Sequence, residues 1–388
     1  MSAVRVGIHD LSVATAGHVL ALDDLAAYDG TDPAKYRVGL GQEQMSVPGP
    51  DEDIVTMGAA AALPILHTHG ADGIRTLFFA TESGVDQSKS AGVFVHELLG
   101  LPATCRVVEL KQACYSATAA LQAAAGLVAR NPAEKVLVIA SDVARYELDS
   151  AAEATQGAGA VAMLVTADPA LAEIEPVSGV HTADVDDFWR PNDSVNAVVD
   201  GKLSIVAYLD GVIGAWEDFR ARGGAPLGEI DRFCHHQPFT RMAVKAHRRL
   251  AEHEGVALDE ELLAVTTGYN RRIGNSYTAS LYLALAALID ADDDLAGRRI
   301  GMFSYGSGSV TELFTLVVQP GYRAHTRGAE TERALAARTP LDIARYRELH
   351  AATHLDSHAD LQTAHESSGP FRFTGLTGRA RRYARTDA

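Results

Sequence analysis

The chain has 388 residues, 47% of them hydrophobic, which is enough to bury the core of two fused halves and too long for one ordinary α/β sheet. Its formal net charge of −16 argues against nucleic acid as a partner, because phosphate binding needs clustered Lys and Arg side chains. No window reaches about 18 consecutive apolar residues and no charged-then-apolar leader begins the chain, so we expect a soluble cytoplasmic protein without a membrane span.

The cysteine content is the first feature that bears on chemistry. The chain has three cysteines, Cys105, Cys114 and Cys234, and none of them forms a C-x-x-C motif. An odd, sparse set of this kind predicts neither a disulfide framework nor a zinc site, and we expect no metal. The set is compatible with an intracellular catalytic thiol.

Along the chain, short apolar segments alternate with segments rich in Ala and Leu. The N-terminal "MSAVRVGIHDL" is typical of a first strand, and "FRFTGL" near the other end is typical of a last one. Helical patterns cover residues 116–130 and 277–291. Uninterrupted strand-like segments, rich in β-branched and aromatic residues, cover 74–81, 105–110, 135–141, 160–165, 232–237, 299–305 and 312–318. This alternation predicts an α/β protein with parallel sheets.

A weak internal repeat links the two parts of the chain. The segment "GAGAVAMLV" (157–165) resembles "GSGSVTELFTLVV" (306–318), and each follows a helix start of small and apolar residues, at Cys114 and Asn275. In the first part, Glu82 and Cys114 precede the Gly-rich segment. In the second part, His236 and Asn275 precede the matching Gly-rich segment in the same order. The order predicts a duplication in which these side chains face one another across a seam.

Cys114 is the strongest candidate for a nucleophile. It lies where a strand hands over to an Ala-rich helix, whereas Cys105 and Cys234 lie inside strand patterns and fit small buried residues. A helix N-terminus lowers the pKa of a thiol, and its free N–H groups can hold the oxyanion of a thioester under attack. We therefore predict a low-pKa nucleophile at Cys114.

Glu82, His236 and Asn275 are the other candidates, and each has an ordinary structural alternative. Glu82 follows a strand and could cap a helix, but a carboxyl beside a buried thiol would have a raised pKa suited to acid/base catalysis. His236 could be a core histidine, yet Pro238 ends its strand and places it at the rim where sites of parallel sheets gather. Asn275 could be a helix N-cap.

Eight motifs between residues 7 and about 320 carry a resemblance to a known family. They read "ATESGVDQSKS", "ELKQACYSAT", "IASDVARYE", "TQGAGAVAMLV", "DFWRP", "HHQPFTRMAVKAH", "GNSYTASLY" and "FSYGSGSV". On these motifs the chain resembles the 3-hydroxy-3-methylglutaryl-CoA synthases of the thiolase superfamily, and among them the compact bacterial, actinobacterial-like form. The resemblance implies the thiolase fold. It has duplicated βαβαβαββ halves, here 1–170 and 171–388, in five αβαβα layers, usually as a homodimer.

The resemblance also implies the reaction and the residues that carry it. Acetyl-CoA condenses with acetoacetyl-CoA and water to give 3-hydroxy-3-methylglutaryl-CoA, a step of the mevalonate pathway, with CoA thioesters as substrates and no cofactor. Cys114 matches the acetylated nucleophile, Glu82 the acid/base residue and His236 the residue that binds the acetoacetyl group. Further matched positions shape the pocket or approach CoA, and they are Asp142, Tyr146, Asp187, Asn275, Gly306, Ser307, Lys245 and Arg241.

Three alternatives remain open at this point. A polyketide β-branching synthase shares the fold and the Glu–Cys–His set but takes acyl groups from acyl carrier proteins, and the acidic chain mildly disfavours docking such acidic partners. A ketoacyl synthase of the initiating type is disfavoured by Glu82 and by "SYGSGS". A non-catalytic thiolase-like partner subunit should lack its nucleophile, which this chain keeps at Cys114.

Overall fold

The computed structural model describes residues 4–291, 294–352 and 359–386. The strands are Val6–Thr15 (β1), His18–Ala21 (β2), Gln44–Val47 (β3), Ile74–Ala80 (β4), Arg106–Leu110 (β5), Lys135–Ala144 (β6), Gly157–Ala167 (β7), Ala172–Thr182 (β8), Phe188–Trp189 (β9), Val198–Val199 (β10), Arg232–His235 (β11), Arg299–Gly306 (β12), Val310–Val318 (β13), Thr339–Pro340 (β14), Leu361–Gln362 (β15), Phe371–Thr377 (β16) and Ala380–Arg385 (β17). The α-helices are Leu22–Asp29 (α1), Ile54–His69 (α2), Ala91–Leu98 (α3), Ser116–Arg130 (α4), Gly201–Ala221 (α5), Arg241–Glu254 (α6), Glu261–Ala264 (α7), Gly268–Ile273 (α8), Ser280–Asp290 (α9), Gly328–Ala336 (α10) and Ile343–Ala351 (α11).

The main sheet has a nearly palindromic strand order. Its nine strands lie in the order β11-β12-β13-β8-β1-β7-β6-β4-β5, with the two central strands paired antiparallel through Gly7–Glu173 and Ile8–Ala172. Outward from the β8–β1 pair, one side runs β1, β7, β6, β4 and the other runs β8, β13, β12, β11. On each side this is the first, last, penultimate and second strand that the half contributes to the sheet. The first side continues to a further strand, β5, which has no counterpart among the described residues of the other side. Such an order is what a duplicated unit with a pseudo-twofold axis produces.

Five layers of secondary structure follow from three buried clusters. The central cluster joins α4 and α9 to both parts of the sheet, as at Ala120, Leu121, Leu283 and Leu285. One outer cluster packs α2 and α3 on the strands of the first half, and another packs α5 and α6 on those of the second. The α/β class and the layered, thiolase-like architecture predicted from the sequence are therefore confirmed. The predicted parallel sheets are wrong, because the main sheet is mixed and only its β11–β12, β4–β5 and β4–β6 pairs are parallel. The boundary at residue 170 stays a prediction.

The two central helices, α4 and α9, differ in how much of their surface is buried between the two parts of the main sheet. Helix α4 buries a stripe of small residues, such as Ala117 and Ala124, while all but one residue of α9 is buried. Helix α9 is apolar around its whole circumference, as expected for a helix covered on every side. Truncating one of its buried leucines to Ala, for example Leu283, should destabilise the fold by about 2–5 kcal/mol.

The observed elements refine several predicted boundaries. The strand predicted over 232–237 ends at His235, and the helix predicted from 277 begins with a 3₁₀ turn, Tyr277–Ala279, before α9. The predicted last strand is β16, and β17 pairs with it to form a hairpin that the sequence pattern did not predict. No helix within the described residues is long and apolar enough to cross a membrane.

Candidate active site

Cys114 lies on a tight turn between β5 and α4. Its neighbour Ala113 has φ of 43°, a left-handed conformation that costs a non-glycine residue energy and often marks a functional turn. The hydroxyl of Ser116 donates to the Ala113 carbonyl oxygen at 2.9 Å and accepts a hydrogen bond from the Gln112 N–H. The turn therefore holds the thiol at the start of the helix, close to the position predicted from the sequence.

Glycines allow the backbones of the two halves to pack closely at this turn and at the equivalent turn of the second half. A Cβ at Gly306, in the Gly-rich turn of the second half, would lie 2.6 Å from both the Gln112 carbonyl oxygen and the Tyr115 nitrogen. A Cβ at Gly157, in the equivalent turn of the first half, would lie 2.7 Å from the Asn275 carbonyl oxygen. Each Gly-rich turn thus supports the functional turn of the other half. This exchange supports the duplication inferred from the sequence repeat.

Glu82 follows β4, the strand hydrogen-bonded to β5, and hydrogen bonds to Asp142 fix its backbone. The buried carboxylate of Asp142 accepts from the Glu82 N–H at 2.9 Å, from the Ser83 N–H at 3.0 Å and from the Thr81 hydroxyl at 2.7 Å. Burial, and then the negative charge of Asp142, raise the pKa of Glu82 to about 8. A carboxyl with such a pKa can exchange a proton in both directions near neutral pH.

The thiol and this carboxyl group are in direct contact. The Cys114 Sγ–H donates to Glu82 Oε1 over 3.0 Å. Burial, followed by the adjacent Glu82 carboxyl, raises the pKa of the Cys114 thiol well above its usual value. The predicted low-pKa thiol is therefore wrong for the free enzyme, since desolvation and a neighbouring acid outweigh the helix start. The thiol is therefore protonated near neutral pH, and it lies in contact with a carboxyl group that can exchange protons.

His236 lies one residue beyond the end of β11 and is 2% exposed. Its backbone carbonyl accepts a hydrogen bond of 2.8 Å from the Tyr208 hydroxyl, and the two rings stack with centroids 6.3 Å apart. Burial lowers the pKa of His236 to about 3, so the imidazole is neutral near pH 7. A neutral imidazole can donate one N–H to a carbonyl oxygen without adding charge to the pocket.

A single cavity of about 490 Å³ joins the two halves of the site. Its walls include Cys114, His236 and Asn275, and it extends past apolar side chains to Lys245. The size suits an extended acyl thioester. The other predicted residues on its walls are Tyr146 and Ser307, so the residues that the sequence placed far apart lie around one space.

Two family models match the chain, the hydroxymethylglutaryl-coenzyme A synthase N-terminal model over residues 3–170 and the C-terminal model over residues 258–349. The chain belongs to the hydroxymethylglutaryl-CoA synthase family. It is therefore a condensing, acyl-transferring enzyme that makes 3-hydroxy-3-methylglutaryl-CoA from acetyl-CoA, acetoacetyl-CoA and water.

Individual relatives agree with this assignment. The synthase is 40% identical over 361 residues to the hydroxymethylglutaryl-CoA synthase of Enterococcus faecalis, covering 92% of this chain and 94% of that protein. It is 34% identical over 368 residues to a polyketide biosynthesis 3-hydroxy-3-methylglutaryl-ACP synthase of Bacillus subtilis, covering 88% and 87%. The polyketide enzyme is thus the more distant of these two.

Solved structures match almost the whole synthase. An HMG-CoA synthase complexed with CoA superposes with a TM-score of 0.93 at 35% identity, covering 98% of this chain and all (100%) of that one. MvaS in complex with 3-hydroxy-3-methylglutaryl coenzyme A superposes with a TM-score of 0.90 at 37% identity, covering 98% and 99%. The thiolase-like fold of the synthase is shared with both.

Five of the predicted residues are not among those that line the cavity of the synthase, and they are Glu82, Asp142, Asp187, Gly306 and Arg241. Glu82 contacts the Cys114 thiol and Gly306 packs against the Cys114 turn, as described above. Asp142 lies beneath Glu82, as described above. Asp187 accepts from the Tyr305 hydroxyl at 2.7 Å and from the Gly308 N–H at 2.9 Å, which braces the second Gly-rich turn. Arg241 pairs with Glu260 at 3.2 Å on the surface, so its predicted contact with CoA phosphates stays a prediction.

Sequence reasoning missed several residues that line the site of the synthase. Tyr208, Tyr277 and Tyr305 are three of the six Tyr and Phe residues that line the cavity. Tyr277 belongs to the quoted "GNSYTASLY" and Tyr305 to "FSYGSGSV", so their place beside candidate residues was a usable signal. Tyr208 comes from α5, far from any quoted motif, and only the fold brings it to the site.

A separate cluster of histidines lies around Asp10 on β1. The Asp10 Oδ2 atom is 2.9 Å from His69 Nε2 and accepts from Arg327 at 2.6 Å, while Oδ1 is 3.9 Å from His325 Nδ1 and accepts from the Leu11 N–H at 2.8 Å. The three side chains of Asp10, His69 and His325 have the composition of a cation site. However, the Arg327 guanidinium already neutralises the carboxylate. The cluster is best described as a buried ion pair that ties α10 to the first half.

Proposed function

We propose that this synthase supplies 3-hydroxy-3-methylglutaryl-CoA to a mevalonate pathway in the cytoplasm, through an acetyl group carried on Cys114. The observation that supports these residue roles is the 3.0 Å contact between Cys114 Sγ and Glu82 Oε1, with His236 on the wall of the same cavity. A protonated thiol, its proton acceptor and a neutral hydrogen-bond donor are the groups that the reaction requires.

The first step is acetyl transfer. Cys114 attacks the carbonyl carbon of acetyl-CoA as Glu82 accepts the thiol proton, the carbon–sulfur bond to CoA breaks, and the CoA sulfur takes up the proton. The raised pKa of the thiol keeps it protonated until the substrate arrives. The N–H groups at the start of α4 are the donors available to the developing oxyanion.

The second step forms the carbon–carbon bond. Glu82 removes a proton from the acetyl methyl group, and the resulting carbanion attacks the ketone carbon of acetoacetyl-CoA. His236 donates a hydrogen bond to the ketone oxygen, and Glu82 returns its proton to the alkoxide that forms there. A carboxyl pKa of about 8 allows both transfers at one residue.

The product of this step is joined both to Cys114 and to CoA. Water then attacks the Cys114 thioester, the bond to Sγ breaks, and the thiol regains its proton. The free 3-hydroxy-3-methylglutaryl-CoA leaves by the route through which CoA entered.

A radiolabel experiment tests these residue roles. Labelled acetyl-CoA should leave one acetyl group per chain, removed by the Cys114→Ser substitution and retained in Cys105→Ser and Cys234→Ser. Adding acetoacetyl-CoA should move the label into 3-hydroxy-3-methylglutaryl-CoA. Labelling that persists in Cys114→Ser would overturn the assignment of the nucleophile.

The choice between CoA and a carrier protein is tested by competing substrates. Lys245 on the cavity wall supports CoA, because its ammonium group can meet a phosphate. The net charge of −16 disfavours docking an acidic carrier protein. We expect kcat/KM for acetoacetyl-CoA to exceed that for the carrier-bound acetoacetyl group by about tenfold or more, and the reverse preference would favour the polyketide alternative.

We also propose that the synthase is a homodimer that pairs through β5. This strand ends the sheet, and its Val108 side chain is 40% exposed. An exposed edge strand of this kind can pair with a second copy of itself. Val108→Lys should shift the sedimentation coefficient towards that of a monomer, whereas Val180→Lys, at an exposed position on β8, should not. Unchanged sedimentation of Val108→Lys would contradict pairing at this edge.

A further inference from the structure

A small cavity lies against Glu82, a residue that is not on the wall of the substrate cavity, and shares Phe188 and Tyr277 with that cavity. We refer to it as the cavity behind Glu82. It has a volume of about 20 Å³ and is bounded by Glu82, Arg145, Arg190, Ala197 and a few neighbouring side chains. A space of roughly 10–15 Å³ with polar partners is enough to hold one water molecule. The small cavity therefore has room for a single water against the catalytic carboxyl group.

The small cavity continues into a larger one of about 340 Å³. The two share four wall residues, and the larger cavity reaches the surface beside Gly84 and Ala352, both of which are exposed. The residues common to both are Val143, Arg145, Arg190 and Val195. The two spaces together lead from the surface to the back of Glu82.

The walls of this passage carry polar groups suited to water. The Arg145 Nη1 atom is buried and has no hydrogen-bond partner within the described part of the chain, although Nε contacts Asn196 and Nη2 the His350 carbonyl. The positive charge of Arg190 acts on Glu82 and lowers its pKa, against the larger effect of burial. A buried N–H donor without a protein partner is what a bound water satisfies.

The reaction creates a need for such a passage. After condensation, one molecule is attached to Cys114 by one thioester and to CoA by the other, so it fills the substrate cavity from the thiol outwards. The water that hydrolyses the Cys114 thioester must reach the site while this front route is blocked.

We propose that the cavity behind Glu82 holds the hydrolytic water and that the passage lined by Arg145 and Arg190 supplies it. The inference rests on the condensation and hydrolysis steps proposed above. Glu82 takes a proton from this water, the water oxygen bonds to the thioester carbon, and the carbon–sulfur bond breaks. The proton on Glu82 passes to the leaving sulfur, which restores the Cys114 thiol, and the new carboxyl group releases its own proton to solvent.

Filling the small cavity tests the proposal. Val143→Ile adds one methylene to the wall of both cavities, and Val85→Ile is the matched control because Val85 lines only the larger one. Ala197→Val is an independent second way to fill the small cavity. Thermal unfolding of each variant shows that it is folded before kinetics are compared.

The expected result is a block at one step. In Val143→Ile and Ala197→Val, acetylation of Cys114 should stay within about twofold of the unsubstituted enzyme, while turnover falls by about tenfold or more. Mass spectrometry of quenched enzyme should show the doubly esterified adduct accumulating on Cys114. Val85→Ile should behave like the unsubstituted enzyme.

A second measurement separates the passage from general damage to the site. Hydrolysis of the acetyl-enzyme without acetoacetyl-CoA takes place after CoA has left, when water can enter from the front, so its rate should change little in the same variants. Unchanged turnover in both filled variants would overturn the proposal. So would a parallel fall in acetylation, condensation and hydrolysis. Failure of the unsubstituted enzyme to form acetyl-enzyme or to condense would instead contradict the underlying reaction.

Discussion

The two halves of the synthase place a functional turn at the same point of a duplicated unit but support it differently. In the first half, Cys114 follows a regular strand, β5, that is paired along β4 from Thr76–Arg106 to Ala80–Leu110. In the second half, Asn275 follows the helix α8 and Gly274, and the described residues contain no strand at the position equivalent to β5.

This difference follows the chemistry of each turn. In the proposed mechanism, Cys114 must meet Glu82 within hydrogen-bond distance, and two adjacent parallel strands fix the ends that carry both side chains. Asn275 is instead fixed by the first half, since its N–H donates to the Thr155 carbonyl at 3.1 Å and its side chain contacts the Tyr146 hydroxyl at 3.3 Å. In the proposed mechanism, the first half therefore holds the reacting groups, and the second half supplies groups that bind the second substrate.

Removing the nucleophile should have the largest effect on this division of roles. Cys114→Ser should leave no acetyl-enzyme and reduce kcat by about 10,000-fold or more, because a serine without a matched base does not replace the thiol. Asn275→Ala, at the equivalent turn, should still acetylate Cys114. Rapid-quench labelling measures both, and loss of acetylation in Asn275→Ala would contradict the separation of the two halves.

Glu82 should show the next largest effect, and the loss should be greatest in carbon–carbon bond formation. Glu82→Gln should lose about 100- to 10,000-fold in condensation, because an amide cannot carry a proton from the acetyl methyl group to the alkoxide. Acetylation should fall less, since the departing CoA sulfur can take the thiol proton directly. Glu109→Gln is the matched control, because Glu109 is also partly buried with a raised pKa and its carboxylate accepts from the Ala91 N–H at 2.7 Å. Equal losses in both steps for Glu82→Gln would contradict this role.

His236 tests the contribution of the second half. His236→Ala should acetylate Cys114 normally but raise KM for acetoacetyl-CoA by about tenfold, the usual value of one hydrogen bond. His236→Asn keeps a neutral N–H donor and should recover part of the affinity. Unchanged KM in the Ala variant would mean that the second substrate is held elsewhere.

A smaller effect is expected from pH, and it reports on the first half alone. Because the pKa of Glu82 is raised to about 8, the carboxylate needed as a base is the minor form at pH 6.5 and becomes the major form above pH 8. The condensation rate should therefore rise by about tenfold per pH unit below that value and then level off. The neutral His236, with a pKa of about 3, should not titrate in this range. A rising limb that persists in Glu82→Gln would assign it to another group.

Much of the site was predictable because its groups lie in ordered motifs. Cys114, Glu82, His236 and Asn275 each lie directly after a strand or before a helix, and such ends meet at one rim in an α/β protein. The repeated Gly-rich turns indicated that the two sets lie opposite each other. The resemblance then assigned roles to these positions that their spacing alone had left open.

Other properties depend on burial and on contacts between distant segments. The pKa of Cys114 was predicted with the wrong sign, because helix position is visible in a sequence while desolvation and the Glu82 contact are not. The cavity behind Glu82 joins Arg145 on the loop after β6 to Arg190 near β9, and no periodicity connects the two. The absence of a fifth strand in the second half likewise appears only in the pairing of the described strands.

Asp142 has a consequence for how the molecule unfolds. One carboxylate oxygen holds the Glu82 loop of the first half, and the other accepts from the Thr278 N–H of the second half at 3.1 Å. Separating the halves would remove both Thr278 donors, the N–H and the hydroxyl, from this buried carboxylate, at a cost of about 1–3 kcal/mol or more for a charged group. We therefore expect the two halves to unfold together, and a fragment ending near residue 170 would hold Cys114 and Glu82 without the contacts that fix their geometry.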